Sequence, residues 1–158
     1  MLQSVWKNPI HFLAFGFGSG TLPKAPGTWG TVAAIPIYCA ISSWNWAAYA
    51  TLVIIMAVVG IAICGKTAEA LKVHDHPGIV WDEIVGYLIT MYMAPKGWLW
   101  IGIGFVLFRI FDIVKPFPIR WVDSRISGGL GIMADDWLAG IYAWVSLQGV
   151  ALFLSTLV

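Results

Sequence analysis

The sequence predicts an all-α fold: a polytopic membrane bundle of about five apolar helices with a charged site at its cytoplasmic face. Three observations predict it. Of 158 residues, 59% are hydrophobic and 11% charged, with ten tryptophans and a mean hydropathy of +0.82, where soluble chains carry about 25% charged residues. The apolar residues fall into runs of helix length between short polar breaks, as membrane-spanning helices require. The charges cluster: Arg109, Asp112, Lys115, Arg120, Asp123, Arg125, Asp135 and Asp136 are eight of the seventeen acidic and basic residues. A chain of this length makes a single domain, residues 1–158.

Composition also excludes function classes. A net charge of +1 with no basic stripe leaves no case for a nucleic-acid partner. Cys39 and Cys64 both sit in apolar runs, where a thiol is a small packing residue and its thiolate is disfavoured. Met1 to Pro9 lacks an apolar core followed by a small-residue cleavage site, so no signal peptide is expected and insertion falls to the apolar segments themselves.

In chain order, residues 1–15 space Trp6, Phe12 and Phe15 as an interfacial amphipathic piece does. Gly16 to Gly30, GFGSGTLPKAPGTWG, has five glycines and two prolines in fifteen residues and is expected to be a loop. Thr28 is the expected N-cap of the next helix. Glycines before a helix start expose N–H groups that hold phosphate, which makes Ser19, Lys24 and Thr28 candidates for substrate contact. Lys24 does not complete a Walker pattern, and a plain connector accounts for the loop equally well.

Trp29 to Ile41 is apolar for thirteen residues, short of the ~20 that span a bilayer, so a tilted or extended helix is expected. Trp46 to Cys64 offers nineteen uncharged apolar or small residues, and Lys66, Glu69 and Lys72 at helical spacing predict that this helix continues into water until HDHPG breaks it. Pro77, with Asp75 or His76 as cap, opens a helix expected to run to about Met93 with Asp82 and Glu83 in its second turn. Trp98 to Val114 is the next span. Arg109 and Asp112 share a face at its end, and Pro116 stops it. Glycines 128, 129 and 131 predict a flexible break, after which Asp135-Asp136 open a last span from Trp137 to Val158.

With five crossings and a cytoplasmic start, Lys7, Lys24, Lys66, Lys72, Lys115, Arg120 and Arg125 all lie inside and Lys96 outside, as the positive-inside rule prefers. The polar stretches 16–30, 65–83 and 109–136 then meet at one cytoplasmic face.

Two carboxylate pairs occur in matching settings, WDEIVG at 81–86 and DDWLAG at 135–140, each with a glycine close behind that allows two helices to approach. Successive helical residues point about 100° apart, so each pair can offer one carboxylate to a shared centre and the other to a second ion or to the layer around the first ion's ligands. Clustered carboxylates need a cation or protons, and oxygen-only ligands suit Mg²⁺. The competing reading is that these acids cap helix N-termini, where negative charge is worth about 0.3 to 1 kcal/mol. His74 and His76 flank Asp75 and are read as part of a capping turn, with metal binding or a hydrogen bond from His76 to substrate as the alternative. Neither cysteine neighbours a base and no Ser-His-Asp elbow occurs, which leaves metal-assisted phosphoryl chemistry as the best fit.

The motifs GFGSGTLPKAPGTWG, HDHPGIVWDEIVG, FRIFDIVKPFPIRW and GGLGIMADDWLAG, in this order and spacing, resemble the bacterial phosphatidylglycerophosphatase A family from Phe15 to about Ala143. The resemblance implies a Mg²⁺-dependent, multi-pass, inner-membrane phosphatase that converts phosphatidylglycerophosphate to phosphatidylglycerol and inorganic phosphate. It puts the family's acidic motifs on Asp82, Glu83, Asp135 and Asp136, expected as metal ligands and catalytic groups, and its basic-proline motif on Arg109, Asp112, Lys115 and Arg120. Lys115, fixed by the KPFP segment, is expected on the substrate phosphate, with Arg109, Arg120, Lys24, Ser19, Thr28 and His76 as further substrate contacts. The expected partners are a phospholipid and the membrane; the sequence sets no oligomeric state.

Two other classes compete. A CDP-alcohol phosphotransferase is also carboxylate-rich and Mg²⁺-dependent, but its D-G-x-x-A-R…G-x-x-x-D-x-x-x-D pattern does not occur here. A small transporter would carry its charges near the bilayer midplane, and these acids lie at helix ends.

Overall fold

Helices account for all the regular structure in the computed structural model, which describes residues 2–73 and 76–156. In chain order they are α1 (Leu2–Lys7), α2 (Pro9–Ala14), a 3₁₀ turn at Ser19–Thr21, α3 (Pro26–Ile41), α4 (Trp46–Leu71), α5 (Trp81–Thr90), α6 (Trp98–Val114), α7 (Ile119–Arg125) and α8 (Gly128–Ser155). The long α8 is the central post, with α4, α5, α6 and α7 packed around it; α3 closes the other side of α5, and α2 lies on α4.

Local chemistry sets several boundaries. Asn8 caps α2 by accepting from the Ile10 N–H, with Pro9 pre-set for the first helical position. Asn45 does the same for α4 through the Ala48 N–H at 2.9 Å. As expected, α4 runs on through Lys66 and Glu69, and it ends at Lys72 in the left-handed region.

Among the described residues, α4 and α8 are long and apolar enough to cross a membrane, where about five spans were expected. Both turn bulky side chains outward, including Ile54, Ile55 and Val58 on α4 and Val145, Leu152 and Phe153 on α8. The other three expected spans are shorter. α5 has ten residues, about 15 Å at 1.5 Å each, half the ~30 Å of hydrocarbon. The apolar run outlasts the helix because Ile79 and Val80 belong to the turn before it, and Met91 to Met93 to the turn after it. α3 and α6 have sixteen and seventeen residues.

Four expectations are corrected in detail. Thr28 lies inside the first turn of α3, whose N-cap is the left-handed Ala25, because Pro26 already has the φ of a first helical residue. His76 does not cap α5; its Nδ1 accepts from the Gly78 N–H in a separate turn, and Val80 precedes the helix. The alternatives involving His74 and Asp75 lie outside the described residues. The glycines at 128, 129 and 131 begin α8 instead of breaking it, since a side chain on Gly129 would meet the Ile61 carbonyl of α4. Asp135 and Asp136 consequently sit about two turns inside α8, not at its start.

The expected approach of helices at Gly86 and Gly140 is present. A Cβ on Gly140 would lie 2.5 Å from the Gly86 carbonyl, and one on Gly86 would lie 2.8 Å from the Asp136 carbonyl. Thr90 ties the crossing by donating its hydroxyl to the Gly86 carbonyl at 3.0 Å and the Gly140 carbonyl at 3.4 Å. Trp81 donates to the Met56 carbonyl of α4, and the Tyr49 hydroxyl of α4 donates to the Leu88 carbonyl. The short α5 is thereby fixed in position against both neighbours.

Candidate functional site

Asp82 and Glu83 occupy the first turn of α5, and the entry to that helix is rigid. The Val80 N–H donates to the Ala14 carbonyl at 2.9 Å, the Ile79 N–H to the His76 carbonyl at 2.8 Å, and both side chains are buried. The close crossing at Gly86 and Gly140 brings Asp136 of α8 to the same point. One carboxylate oxygen from each of Asp82, Glu83 and Asp136 lies within 4.8 Å of the others. Asp82 and Asp136 are buried, at 8% and 3% exposure.

These acids line a cleft of about 280 Å³ whose wall also includes Gly27, Arg109, Asp112, Lys115 and Asp135. The three polar stretches of the sequence therefore do meet. Unit charges 4 Å apart repel by about 4 kcal/mol at an effective dielectric of 20, so three such carboxyl groups must be balanced by protons or by a cation. Glu83 Oε2 is buried without a hydrogen-bond partner among the described residues, leaving an oxygen for it. A cluster that, among the described residues, offers carboxylate oxygens and no sulfur or imidazole fits a hard divalent ion such as Mg²⁺.

Asp135 is not part of that trio. One helical step rotates it about 100° from Asp136, toward the end of α6, where its Oδ2 accepts from Lys115 Nζ at 2.6 Å. Lys115 ends α6 in the left-handed region, and its Nζ also lies 3.1 Å from Asp123 of α7. Partial burial would lower the Lys115 pKa, but the hydrogen bonds and charges of Asp135 and then Asp123 outweigh it and raise it above the ordinary lysine value. Lys115 is thus held as an ammonium on the cleft wall. Arg109 and Asp112 form the expected ion pair at 2.5 Å, one turn before it.

Of the remaining substrate candidates, none but Arg109 lines this cleft. Lys24 is exposed on the loop before α3, and Thr28 donates its backbone N–H to the Ala25 carbonyl within the first turn. Ser19 Oγ is buried in the 3₁₀ turn, against Gly16. His76 turns its ring toward Phe15, 5.5 Å away. Arg120 lines a separate groove on the far side of Lys115.

Two positions in the site, Gly27 and Asp123, have no role assigned from the sequence, and a third, Asp112, has only its pairing with Arg109. Gly27 lies directly over the Glu83 carboxylate and Arg109, where a Cβ would clash with Glu83 Oε1, so the glycine of the PGTWG segment is needed for close approach. Asp112 contributes to the cleft wall as well as pairing with Arg109. Asp123 braces Lys115 from α7. The spacing of Arg109, Asp112 and Lys115 by three residues was the available signal for Asp112, since it puts all three along one side of α6.

Residues 12–151 match the family model for phosphatidylglycerophosphatase A. The chain is 47% identical over 135 residues to the phosphatidylglycerophosphatase A of Escherichia coli K12, covering 85% of this chain and 78% of that protein. It is 46% identical over 138 residues to the protein of the same name from Haemophilus influenzae Rd, covering 86% and 85%. No solved structure matches.

Proposed function

The chain belongs to the phosphatidylglycerophosphatase A family, and from that membership and the acid-lined cleft we propose that it hydrolyses phosphatidylglycerophosphate to phosphatidylglycerol and inorganic phosphate. The observation that carries the reading is the meeting of Asp82, Glu83 and Asp136 from two helices beside the Lys115 ammonium.

We assign Asp82, Glu83 and Asp136 to a Mg²⁺ ion. Such an ion, when bound, neutralises phosphate oxygens and lowers the pKa of a water. The chain's own groups supply the rest. Lys115 and Arg109 bring positive charge to the wall of the cleft and hold the phosphomonoester, whose negative charge grows on its equatorial oxygens in the transition state. Asp135 orients Lys115 through Oδ2 and keeps a second buried oxygen, Oδ1, without a hydrogen-bond partner; it is the base we assign to the attacking water. The water oxygen forms the new P–O bond, the ester P–O bond breaks, and the glycerol oxygen leaves and takes up a proton. Gly27 and Asp112 keep Glu83 and Arg109 in register.

The test is phosphate release from phosphatidylglycerophosphate in detergent micelles by the purified protein. Release of one phosphate per phosphatidylglycerol formed is expected; no release with folded protein would overturn the reading.

The membrane assignment we propose is the bacterial inner membrane, crossed several times, with the cleft on the cytoplasmic side. Its support is the Lys/Arg distribution, with Lys66, Lys72, Lys115, Arg120 and Arg125 near the cleft end of the bundle and Lys96 at the other. In a background without Cys39 and Cys64, Ser127→Cys and Lys96→Cys are expected to react with an impermeant maleimide from opposite sides. Reaction of both from the periplasm would contradict the orientation.

A further inference from the structure

Lys115 stands in the wall between two cavities. On one side is the acid-lined cleft; on the other is a groove of about 450 Å³ walled by Val114, Phe117, Arg120, Trp121 and Ser124. Arg120 is exposed, and Nη2 donates to the Val114 carbonyl at 3.4 Å, which sets the guanidinium against the last turn of α6, one residue before Lys115. Among the described residues Arg120 forms no ion pair, whereas Arg109 is paired with Asp112 and Lys115 with Asp123 and Asp135. The guanidinium is therefore a planar donor fork with no anion in place, a shape suited to two phosphate oxygens. Phe117 and Trp121 are exposed beside it, at 79% and 50%, and give the groove an apolar lip.

The substrate assigned above also has two phosphates. A terminal phosphomonoester is joined through glycerol to a phosphodiester, and the diester leads to the diacylglycerol. An acid-lined cleft with an ammonium suits the phosphomonoester, since the bond to be broken must lie beside the acids. The second phosphate then needs a cationic site one glycerol away, next to a surface that accepts acyl chains.

We propose that the groove beside Lys115 binds the substrate's phosphodiester through Arg120, with Phe117 and Trp121 against the start of the diacylglycerol. The proposal rests on the phosphatase reading of the cleft. Arg120 is a specificity residue in this scheme: it recognises the part of the lipid that distinguishes phosphatidylglycerophosphate from phosphatidate, which has a phosphomonoester and no diester. Because the diester does not change during the reaction, the contact is equally strong in ground and transition states and appears in KM with little effect on kcat.

The experiment measures phosphatidylglycerophosphate hydrolysis in micelles of a zwitterionic detergent, with phosphatidate as a competing ligand, for the full-length protein and for Arg120→Gln and Arg120→Lys. A charge-assisted hydrogen bond of this kind corresponds to about a tenfold change in affinity. Arg120→Gln is therefore expected to raise KM for phosphatidylglycerophosphate about tenfold, with kcat within about twofold, and Arg120→Lys to recover part of the loss. The inhibition constant of phosphatidate is expected to move much less, so that selectivity between the two lipids falls. Equal weakening of both lipids would overturn the proposal by making the groove a general membrane contact, and so would an unchanged KM. A loss confined to kcat would assign Arg120 to the chemistry and overturn it as well. Failure of the unaltered protein to release phosphate would instead defeat the phosphatase reading on which the proposal rests.

Discussion

Asp136→Asn is expected to lower kcat/KM about 10³-fold while leaving the bundle folded. The amide keeps the volume of the carboxyl at a position only 3% exposed, and the close approach to Gly86 is made by the Asp136 backbone carbonyl, which the substitution leaves in place. It removes one of the three carboxyl groups whose oxygens converge within 4.8 Å. Single groups that stabilise developing charge in a water-poor site are worth about 10²- to 10³-fold, and a cation ligand belongs at the upper end. Removal of divalent ions should act on the same term: EDTA is expected to stop turnover and added Mg²⁺ to restore it. A loss below about tenfold in the folded variant would return Asp136 to a packing role, and full activity after chelation would remove the cation from the mechanism.

Lys115→Ala is expected to lower kcat/KM about 10²-fold, mostly through kcat. Lys115 is half-buried between Asp123 and Asp135, so its loss also leaves Asp135 without its cation and should reduce stability. The two effects separate by measurement. A thermal midpoint reports the structural part, and kcat/KM at a temperature where the variant is fully folded reports the catalytic part. Lys115→Arg, which restores the charge in a different shape, is expected to recover stability more fully than rate. Near-normal kinetics with a lowered midpoint would make Lys115 only a brace between α6, α7 and α8.

Much of the site was legible because its logic is written in spacing. Asp82 and Asp136 each have a glycine four residues on, Gly86 and Gly140, and residues four apart on a helix share a face. The face that permits close approach is therefore the face that carries the acid, which also selects Asp136 over Asp135 for the shared centre. That selection was available from the sequence, but it required treating each glycine as a marker of helical phase as well as a small residue. With Asp136 turned toward α5, Asp135 must point about 100° away, and Lys115 is the group it meets.

Helix lengths were less legible, because hydropathy does not distinguish an apolar turn from an apolar helix. Ile79 and Val80 are buried and aliphatic, yet they form the rigid entry to α5 by hydrogen bonding back to His76 and Ala14. Glycines 128, 129 and 131 suggest a break, and the tight passage of α8 over Ile61 in α4 uses Gly129 inside a helix instead. Both errors arise from tertiary contacts outweighing local preference. The role of Gly27 was hidden for the same reason, since its neighbour Glu83 lies on another helix.

The shared acid centre is tested most directly by kcat/KM for Asp82→Asn, Asp136→Asn and the double variant at saturating Mg²⁺, each first shown to be folded in detergent. Groups that hold one ion act as a unit, so either single change should remove most of the stabilisation and the second should add little. A double variant within a few-fold of the weaker single variant is the predicted result. Losses that add in log rate would contradict a single centre built by α5 and α8.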